Sequence, residues 1–259
     1  MESKFTFAQN VIKEAGKLLL QQMEDIFDIT VKSTNDDIVT SVDVAIQTFL
    51  MQKITVSYPK DHFLAEESDN QQAISDGNVW VIDPIDGTLN FVTQKSDFAI
   101  MLAYFEQGVG QFGLIYDVMA DKLYAGGGIF PVTCNGRELP VFDGRPLNQS
   151  LVACNTGMIV QNDHNILAVL QNALGIRNYG CAGLSMAKVL NNQLWAYFSN
   201  VYPWDYAAAS ILGQSLGYEL LTLDGQTVDF ISREKVVFLP RQYKADVLHL
   251  LNKNEQNWA

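Results

Sequence analysis

A chain of 259 residues, 48% hydrophobic and 18% charged, is long enough to bury a core and to form a cleft. Its formal net charge of -12 repels nucleic-acid phosphates, which argues against a DNA- or RNA-binding protein. The three cysteines (Cys134, Cys154 and Cys181) form no CxxC pair, which argues against a disulfide framework or a cysteine zinc site. No secretory signal or membrane-spanning run is visible, so we expect a cytoplasmic protein with no membrane partner.

The first part of the chain predicts two helices followed by antiparallel strands. Apolar residues at helical spacing predict a helix that opens the chain and a second helix after Asp43, with the short extended segment Ile38–Thr40 before it. Residues 79–82 are typical of a buried strand that Pro84 ends. Further strands are predicted at 98–104, 113–116 and 123–125, and Asn135-Gly136 predicts a hairpin.

After Ser150 the pattern changes to alternating strands and helices. Strands are predicted at residues 151–154, 194–198 and 236–239, and helices at 165–174, 182–190, 204–216 and the end of the chain. Asp224-Gly225 predicts another hairpin. This pattern favours layered sheets and helices.

The strongest chemical signal is the segment WVIDPIDGTLNF at residues 80–91. Asp83 precedes a proline and is therefore extended, whereas Asp86 lies where a helix begins, so the two carboxylates can converge on one point. Gly87 has no side chain to block a ligand, and the N–H groups of Gly87 and Thr88 would be free to bind phosphate at a helix N-terminus. The alternative is that Asp86 only caps the helix.

Three other acidic segments are candidates for the same site. Glu66-Glu67 follows two apolar residues, so one carboxylate can point inward, although adjacent acids usually lie in a solvated loop. Asp205 opens an Ala-rich helix, where the helix dipole alone favours an acid. Asp43 either forms a capping box with Thr40 or serves as a base partner to a hydroxyl.

Together and in this order, the segments resemble the inositol monophosphatase family. Its Glu-Glu pair, its Asp-Pro-Ile-Asp-Gly-Thr motif and its Trp-Asp pair are matched by Glu66-Glu67, residues 83–88 and Trp204-Asp205. Similar too are Asp37-Ile38-Val39-Thr40-x-x-Asp43 and Gly180-Cys181-Ala182. The resemblance implies an α+β fold, the layered αβαβα sandwich of the inositol monophosphatase and fructose-1,6-bisphosphatase type, and a lithium-sensitive homodimer. We expect one unit of residues 1–259, with a subdivision into a metal-site α+β half (1–150) and an α/β half (151–259).

The resemblance also implies a magnesium-dependent hydrolase of small phosphate monoesters. All-oxygen ligation without His or Cys favours Mg²⁺ or Mn²⁺, and we expect two or three ions per site. The implied metal ligands are Glu66, Asp83, the Ile85 carbonyl, Asp86 and Asp205. Thr88, hydrogen-bonded to Asp43, would orient or deprotonate the attacking water, while Glu66 would hold a metal or its waters. Substrate contacts are expected from Gly87, Thr88, Gly180, Cys181, Ala182, Ser199 and Asp205.

The identity of the phosphate ester is less constrained by the sequence. Inositol monophosphate is the first candidate, and NADP(H), fructose 1,6-bisphosphate and 3′-phosphoadenosine 5′-phosphate are alternatives from the same superfamily. Inositol-preferring members have an acidic residue a few positions before Trp-Asp, whereas Ser199 or Asn200 stands there in this chain, which argues against strict inositol specificity. A non-catalytic metal-binding regulatory protein is the alternative of a different class, but mere metal binding does not need Asp43 and Thr88.

Overall fold

The computed structural model describes residues 1–24, 27–32, 38–69 and 71–252. The predicted contribution of Asp37 to the upstream motif lies outside these residues. The helices of the described part are α1 (Glu2–Gln22), α2 (Ser41–Ser57), α3 (Thr88–Gln94), α4 (Thr156–Gln161), α5 (Leu167–Leu170), α6 (Ala182–Leu190), α7 (Pro203–Leu216) and α8 (Lys244–Leu251). Each of these helices is too short or too polar to cross a lipid bilayer.

The strands are β1 (Ile29–Val31), β2 (Ile38–Thr40), β3 (His62–Ala65), β4 (Asn78–Asp86), β5 (Ala99–Glu106), β6 (Val109–Asp117), β7 (Lys122–Gly127), β8 (Phe130–Cys134), β9 (Arg137–Glu138), β10 (Leu151–Cys154), β11 (Gly175–Arg177), β12 (Ala196–Val201), β13 (Tyr218–Thr222) and β14 (Glu234–Pro240). They form two large sheets, and β1 and β2 pair separately as an antiparallel ribbon.

The first sheet has the order β3-β4-β5-β6-β7-β8-β9, and only its β3–β4 pair is parallel. The second sheet has the order β11-β10-β12-β14-β13. In it β10 runs parallel to β11 and β12, whereas β14 runs antiparallel to β12 and β13. Helical segments connect the parallel strands of this sheet, as a parallel connection requires.

Alternate side chains of the first sheet pack against different layers of helices. Trp80 and Ile100 pack with α1 and α2, while Val79 and Met101 pack with α6 and α7. The helices α6 and α7 also bury one face of the second sheet, and α4, α5 and α8 cover its other face. The resulting order of layers is helix, sheet, helix, sheet, helix, which confirms the predicted αβαβα sandwich.

The strand predicted to stop at Pro84 continues, with an interruption, to Asp86. β4 pairs with β5 up to Asp83↔Met101, and the pairing resumes at Asp86↔Ala99 after a shift of register. One extra residue of β4 is accommodated there, as in a β-bulge, because Pro84 has no N–H to give to the ladder. The bulge changes the direction of the side chains at the end of β4.

The helix predicted for residues 165–174 is wrong over most of that range. His164 and Asn165 have φ values of 50° and 55°, in the left-handed region that breaks helix geometry, and only α5 remains. The hairpin at Asn135-Gly136 is confirmed, since it joins β8 and β9. Asp224-Gly225 lies in the connection, residues 223–233, between β13 and β14; these strands pair antiparallel, so the predicted hairpin is present with a loop longer than two residues.

Candidate active site and metal centre

Three carboxylates meet where β4 ends and α7 begins. Asp83 and Asp86 come from the bulged end of β4, and Asp205 comes from the first turn of α7. One oxygen of each carboxylate lies within 4.8 Å of one oxygen of each of the other two. This distance allows all three side chains to ligate one divalent cation.

Asp83 is the least satisfied polar group of the site. Its side chain is 1% exposed, and neither carboxylate oxygen has a hydrogen-bond partner in the described part of the chain. Burial raises the pKa of Asp83 well above its ordinary value, and the nearby Glu66, Asp86 and Asp205 raise it further. A buried carboxylate without partners is costly, and an oxygen-ligated cation would remove that cost, so these residues fit magnesium.

Asp86 is held by the N-terminus of α6. The Cys181 thiol donates a hydrogen bond to Oδ2 at 2.8 Å, the Ala182 N–H donates to Oδ1 at 3.0 Å, and the Gly183 N–H also donates to Oδ2. Burial raises the pKa of Asp86, while these three donors oppose the rise. A Cβ on Gly183 would lie 2.9 Å from Oδ2 of Asp86, so the close approach of helix and carboxylate requires glycine.

Asp205 and Glu66 lie near enough to each other for the charge of Asp205 to act on Glu66. Asp205 accepts the N–H of Tyr202 at 2.7 Å; burial, and then the charge of Asp86, raise its pKa to about 7. Glu66 follows β3, and its Oε1 accepts a hydrogen bond from Nζ of Lys32 at 2.9 Å. Burial raises the pKa of Glu66 to about 8 although the charge of Lys32 opposes this shift. Lys32 also forms a salt bridge with Glu67, so two carboxylates share its positive charge.

Asp43 uses its two oxygens for two different purposes. Oδ2 accepts the N–H of Thr40 at 2.9 Å and also the Thr40 hydroxyl, which completes a capping box at the start of α2. Oδ1 accepts the hydroxyl of Thr88 at 3.1 Å. The structure therefore shows both the capping box and a hydrogen bond to the Thr88 hydroxyl, while the role of Asp43 as a base stays a prediction. Burial raises its pKa, and the hydrogen bonds from Thr40 oppose the rise.

Thr88 also lies 3.0 Å from the carbonyl oxygen of Ile85, measured from its Oγ1. Because the hydroxyl has one proton, it can donate to Asp43 or to Ile85 but not to both at once. When it donates to Asp43, its lone pairs and the Ile85 carbonyl oxygen remain available to other groups.

A cleft of about 320 Å³ opens beside these acids. It is lined by all the residues predicted to contact substrate: Gly87, Thr88, Gly180, Cys181, Ala182, Ser199 and Asp205. Glu66 and Asp86 line it too, whereas Asp43, Asp83 and Ile85 are not among the lining residues. Gly87 has a φ of 90°, and a Cβ there would lie 3.2 Å from the Cβ of Cys181, so the wall depends on glycine at this position.

The fold agrees with the comparisons to known proteins. The model of the Inositol monophosphatase family matches residues 1–256. The chain belongs to the inositol monophosphatase family. It is 35% identical over 239 residues to inositol-1-monophosphatase of Bacillus subtilis (strain 168), which covers 89% of each sequence.

Two solved structures of this family extend the comparison. An IMPase/NADP phosphatase complexed with Mg²⁺ and phosphate superposes with a TM-score of 0.89 at 27% identity, covering 100% of this chain and 99% of that one. A dual specific IMPase/NADP phosphatase bound with D-inositol-1-phosphate gives a TM-score of 0.87 at 26% identity, covering 98% and 97%. Membership of the inositol monophosphatase family makes the chain a phosphoric monoester hydrolase that uses magnesium.

The sequence did not predict several residues that line the cleft or support its walls. Gln47, buried in α2, accepts the N–H of Glu67 at 2.8 Å and thereby fixes the Glu66-Glu67 turn. Asn90 donates to the carbonyl of Tyr179 at 2.7 Å and so ties the start of α3 to the loop before α6. A polar residue on an apolar helix face was the available signal for Gln47. No local signal marked Asn178, Tyr197 and Arg233, which also line the cleft.

Proposed function

We propose that this chain hydrolyses small phosphate monoesters with magnesium, and that inositol monophosphate is the first substrate to test. The observation that carries the proposal is Asp83, a buried carboxylate without hydrogen-bond partners in the described part of the chain, beside Asp86 and Asp205. Such a group is destabilising unless a cation binds it, and the cation would lie at the base of the cleft.

The proposed ligands are Glu66, Asp83, the Ile85 carbonyl, Asp86 and Asp205, for two or three ions of Mg²⁺ or, in its place, Mn²⁺. When bound, such ions supply positive charge to the phosphate oxygens and acidify the attacking water. Asp86 is oriented before any ion arrives, because the donors at the start of α6 hold both of its oxygens. Asp83 keeps both oxygens available for the cation.

Thr88 is proposed to orient the attacking water and to accept its proton as Asp43 accepts the proton of Thr88. The hydroxyl donates to Oδ1 of Asp43, so its lone pairs are available to a water molecule in the cleft. The pKa of Asp43 is raised by burial, which makes it a better proton acceptor than an ordinary aspartate. Thr40 keeps the other oxygen occupied, and the acceptor oxygen therefore stays directed at Thr88.

Substrate contacts are proposed along the wall of the cleft. Gly87 and Thr88 lie at the start of α3, where backbone N–H groups have no acceptor within the helix. These two N–H groups can therefore bind phosphate oxygens. Gly180, Cys181, Ala182, Ser199 and Asp205 would contact the rest of the ester. The side chain of Cys181 is occupied by Asp86, so we assign its contact with substrate to the backbone.

The experiment is phosphate release, with Mg²⁺ and with EDTA, from inositol 1-phosphate, fructose 1,6-bisphosphate, NADP and 3′-phosphoadenosine 5′-phosphate. EDTA-sensitive release from any of them supports the proposal, and their rank order identifies the substrate class. If the Asp83→Asn variant, purified in the same way, releases no phosphate, the release by wild type does not come from a contaminating phosphatase. Magnesium binding without release from any ester would favour the non-catalytic alternative, a metal-binding regulatory protein.

The assembly and the setting of the enzyme are proposals as well. We propose a cytoplasmic homodimer, with residues 1–259 acting as one unit and inhibition by lithium that competes with magnesium. The free thiols of Cys134, Cys154 and Cys181 are compatible with a reducing compartment. Light scattering coupled to size exclusion tests the dimer, and a lithium titration at several magnesium concentrations tests the competition.

A further inference from the structure

Arg233 carries the positive charge among the described residues that line the cleft. It is exposed at the end of the 223–233 connection, just before β14. Its Nε donates to the carbonyl of Asn200 at 3.1 Å, and its guanidinium carbon lies 5.4 Å from the ring centroid of Tyr202. No ion pair within 4.0 Å involves it in the described part of the chain, although its charge acts on Asp205, and its hydrogen bond to Asn200 uses Nε alone, so its terminal N–H groups can bind a ligand.

The segment before Arg233 is built to hold it in place. Oδ1 and Oδ2 of Asp229 accept the N–H and the hydroxyl of Ser232, each at 3.1 Å. Glu234 accepts the N–H of Asp229 at 2.9 Å and the hydroxyl of Tyr206 at 3.3 Å. The ring of Phe230 packs against that of Tyr206 with 5.3 Å between centroids. Both flanks of Arg233 are therefore anchored to α7, which also carries Asp205.

The described lining of the cleft carries three carboxylates, those of Glu66, Asp86 and Asp205, and one guanidinium, that of Arg233. The scissile phosphate would bind with magnesium beside the carboxylates. The lining residues Asn155, Asn178, Ser199 and Asn200 are polar but uncharged. Lys32, the other nearby cation, is already paired with Glu66 and Glu67. Arg233 is thus a cleft-lining positive charge without an ion-pair partner among the described residues, and its charge acts on the Asp205 carboxylate, at the part of the cleft that Asp205 lines.

We propose that Arg233 binds a second phosphate on the leaving group of the substrate, an inference that rests on the proposed phosphatase function. The favoured substrate class is then a sugar bisphosphate or a nucleotide with a phosphate besides the scissile one. A guanidinium matches phosphate oxygens with paired N–H donors, which a neutral hydroxyl of an inositol ring cannot exploit as strongly. Monophosphates remain substrates but lack this contact.

The test compares ester pairs that differ only by the second phosphate: fructose 1-phosphate with fructose 1,6-bisphosphate, and 2′-AMP with adenosine 2′,5′-bisphosphate. For each pair, the ratio of kcat/KM for the bisphosphate to kcat/KM for the monophosphate is measured in wild type and in Arg233→Gln. We expect Arg233→Gln to lower this ratio about tenfold in at least one pair, mainly through KM, as for an exposed charge-assisted contact. Arg233→Lys should retain part of the effect.

Arg137→Gln is the matched control, because it removes the same charge from an exposed hairpin outside the cleft. A change in the sugar pair alone would identify a sugar bisphosphate, and a change in the nucleotide pair alone would identify a nucleotide. An unchanged ratio in both pairs would overturn the inference while leaving the phosphatase function intact. If both members of each pair lose activity equally, Arg233 acts only by supporting the Asn200 carbonyl; if neither changes, it has no role in catalysis or binding. Wild-type enzyme inactive on every ester would instead refute the proposed function.

Discussion

Replacing Asp83 by asparagine should make the metal-free protein more stable and the enzyme inactive. The substitution keeps the shape of a side chain that is 1% exposed and removes its charge. A neutral amide oxygen is a weaker ligand than a carboxylate for a hard cation, so we expect turnover to be abolished and stabilisation by Mg²⁺ to be lost. The amide can donate to the neighbouring carboxylates, so the fold should be kept.

The gain in stability follows from the spacing of the acids. Oxygens of Asp83, Asp86 and Asp205 lie within 4.8 Å of one another. At that distance two ionised carboxylates repel each other by about 3.5 kcal/mol with an effective dielectric constant near 20. Partial protonation relieves some of this repulsion, so a net gain of about 1–3 kcal/mol is expected, or roughly 2–12 °C in Tm.

The gain should depend on pH, because burial raises the pKa of each of these acids. A carboxyl with a raised folded-state pKa is protonated and tolerated at pH 5, and destabilises the folded state as the pH rises through that pKa. The advantage of Asp83→Asn should therefore be small at pH 5 and largest at pH 8.

Thermal unfolding in EDTA and in Mg²⁺, together with phosphate release, measures all of these effects. Asp246→Asn, an exposed substitution in α8, is the matched control. Two results would refute the reasoning about Asp83. One is a variant that melts below wild type in EDTA at pH 8; the other is a variant that still hydrolyses substrate at a near-normal rate.

Three further outcomes are expected. Thr88→Ala should lower kcat by about 10²–10⁴-fold with little change in KM, while Thr88→Ser keeps most activity; a loss confined to KM would contradict the role of the hydroxyl with water. In EDTA the wild-type Tm should fall from pH 5 to pH 8, because the pKa values of Asp205 and Glu66 are raised to about 7 and about 8, and Mg²⁺ should flatten this slope; a rising Tm would contradict it. Lys4→Met should cost about 3 kcal/mol in urea unfolding, because the Asp61 carboxylate, 2.6 Å from Lys4 Nζ and 4% exposed, loses its cation; a cost below about 1 kcal/mol would contradict this.

The sequence predicted the elements whose signals are local. Apolar spacing placed α1, α6 and α7, and the buried run before Pro84 placed β4. The prediction of a helix at residues 165–174 rests on apolar spacing and is wrong because a run of asparagine, aspartate and histidine ends at the start of that range. Asparagine, aspartate and histidine adopt positive φ more readily than most residues, and His164 and Asn165 do so here.

The site was predictable where it is encoded in short motifs. Asp83, Asp86 and Thr88 fall within six consecutive residues, and the pairing of Thr40 with Asp43 is a recognisable helix-start signal. The bond from Cys181 to Asp86 joins residues 95 positions apart and depends on the packing of α6 against the end of β4. Arg233 reaches the cleft because β14 pairs antiparallel with β12, which sets Glu234 opposite Val201. Contacts between residues this far apart in the chain cannot be predicted from a local sequence pattern.

The two carboxylate oxygens of Asp43 have different partners, and this affects how the site could change during evolution. One oxygen stabilises the start of α2, and the other serves Thr88. A descendant that lost catalysis would still be selected to keep Asp43, since its side chain completes the capping box by accepting the N–H of the N-cap residue Thr40. Thr88 would be released from the demand of chemistry and could drift. An intact aspartate beside an altered threonine would then indicate a relative that has lost catalysis, whereas this chain has both residues.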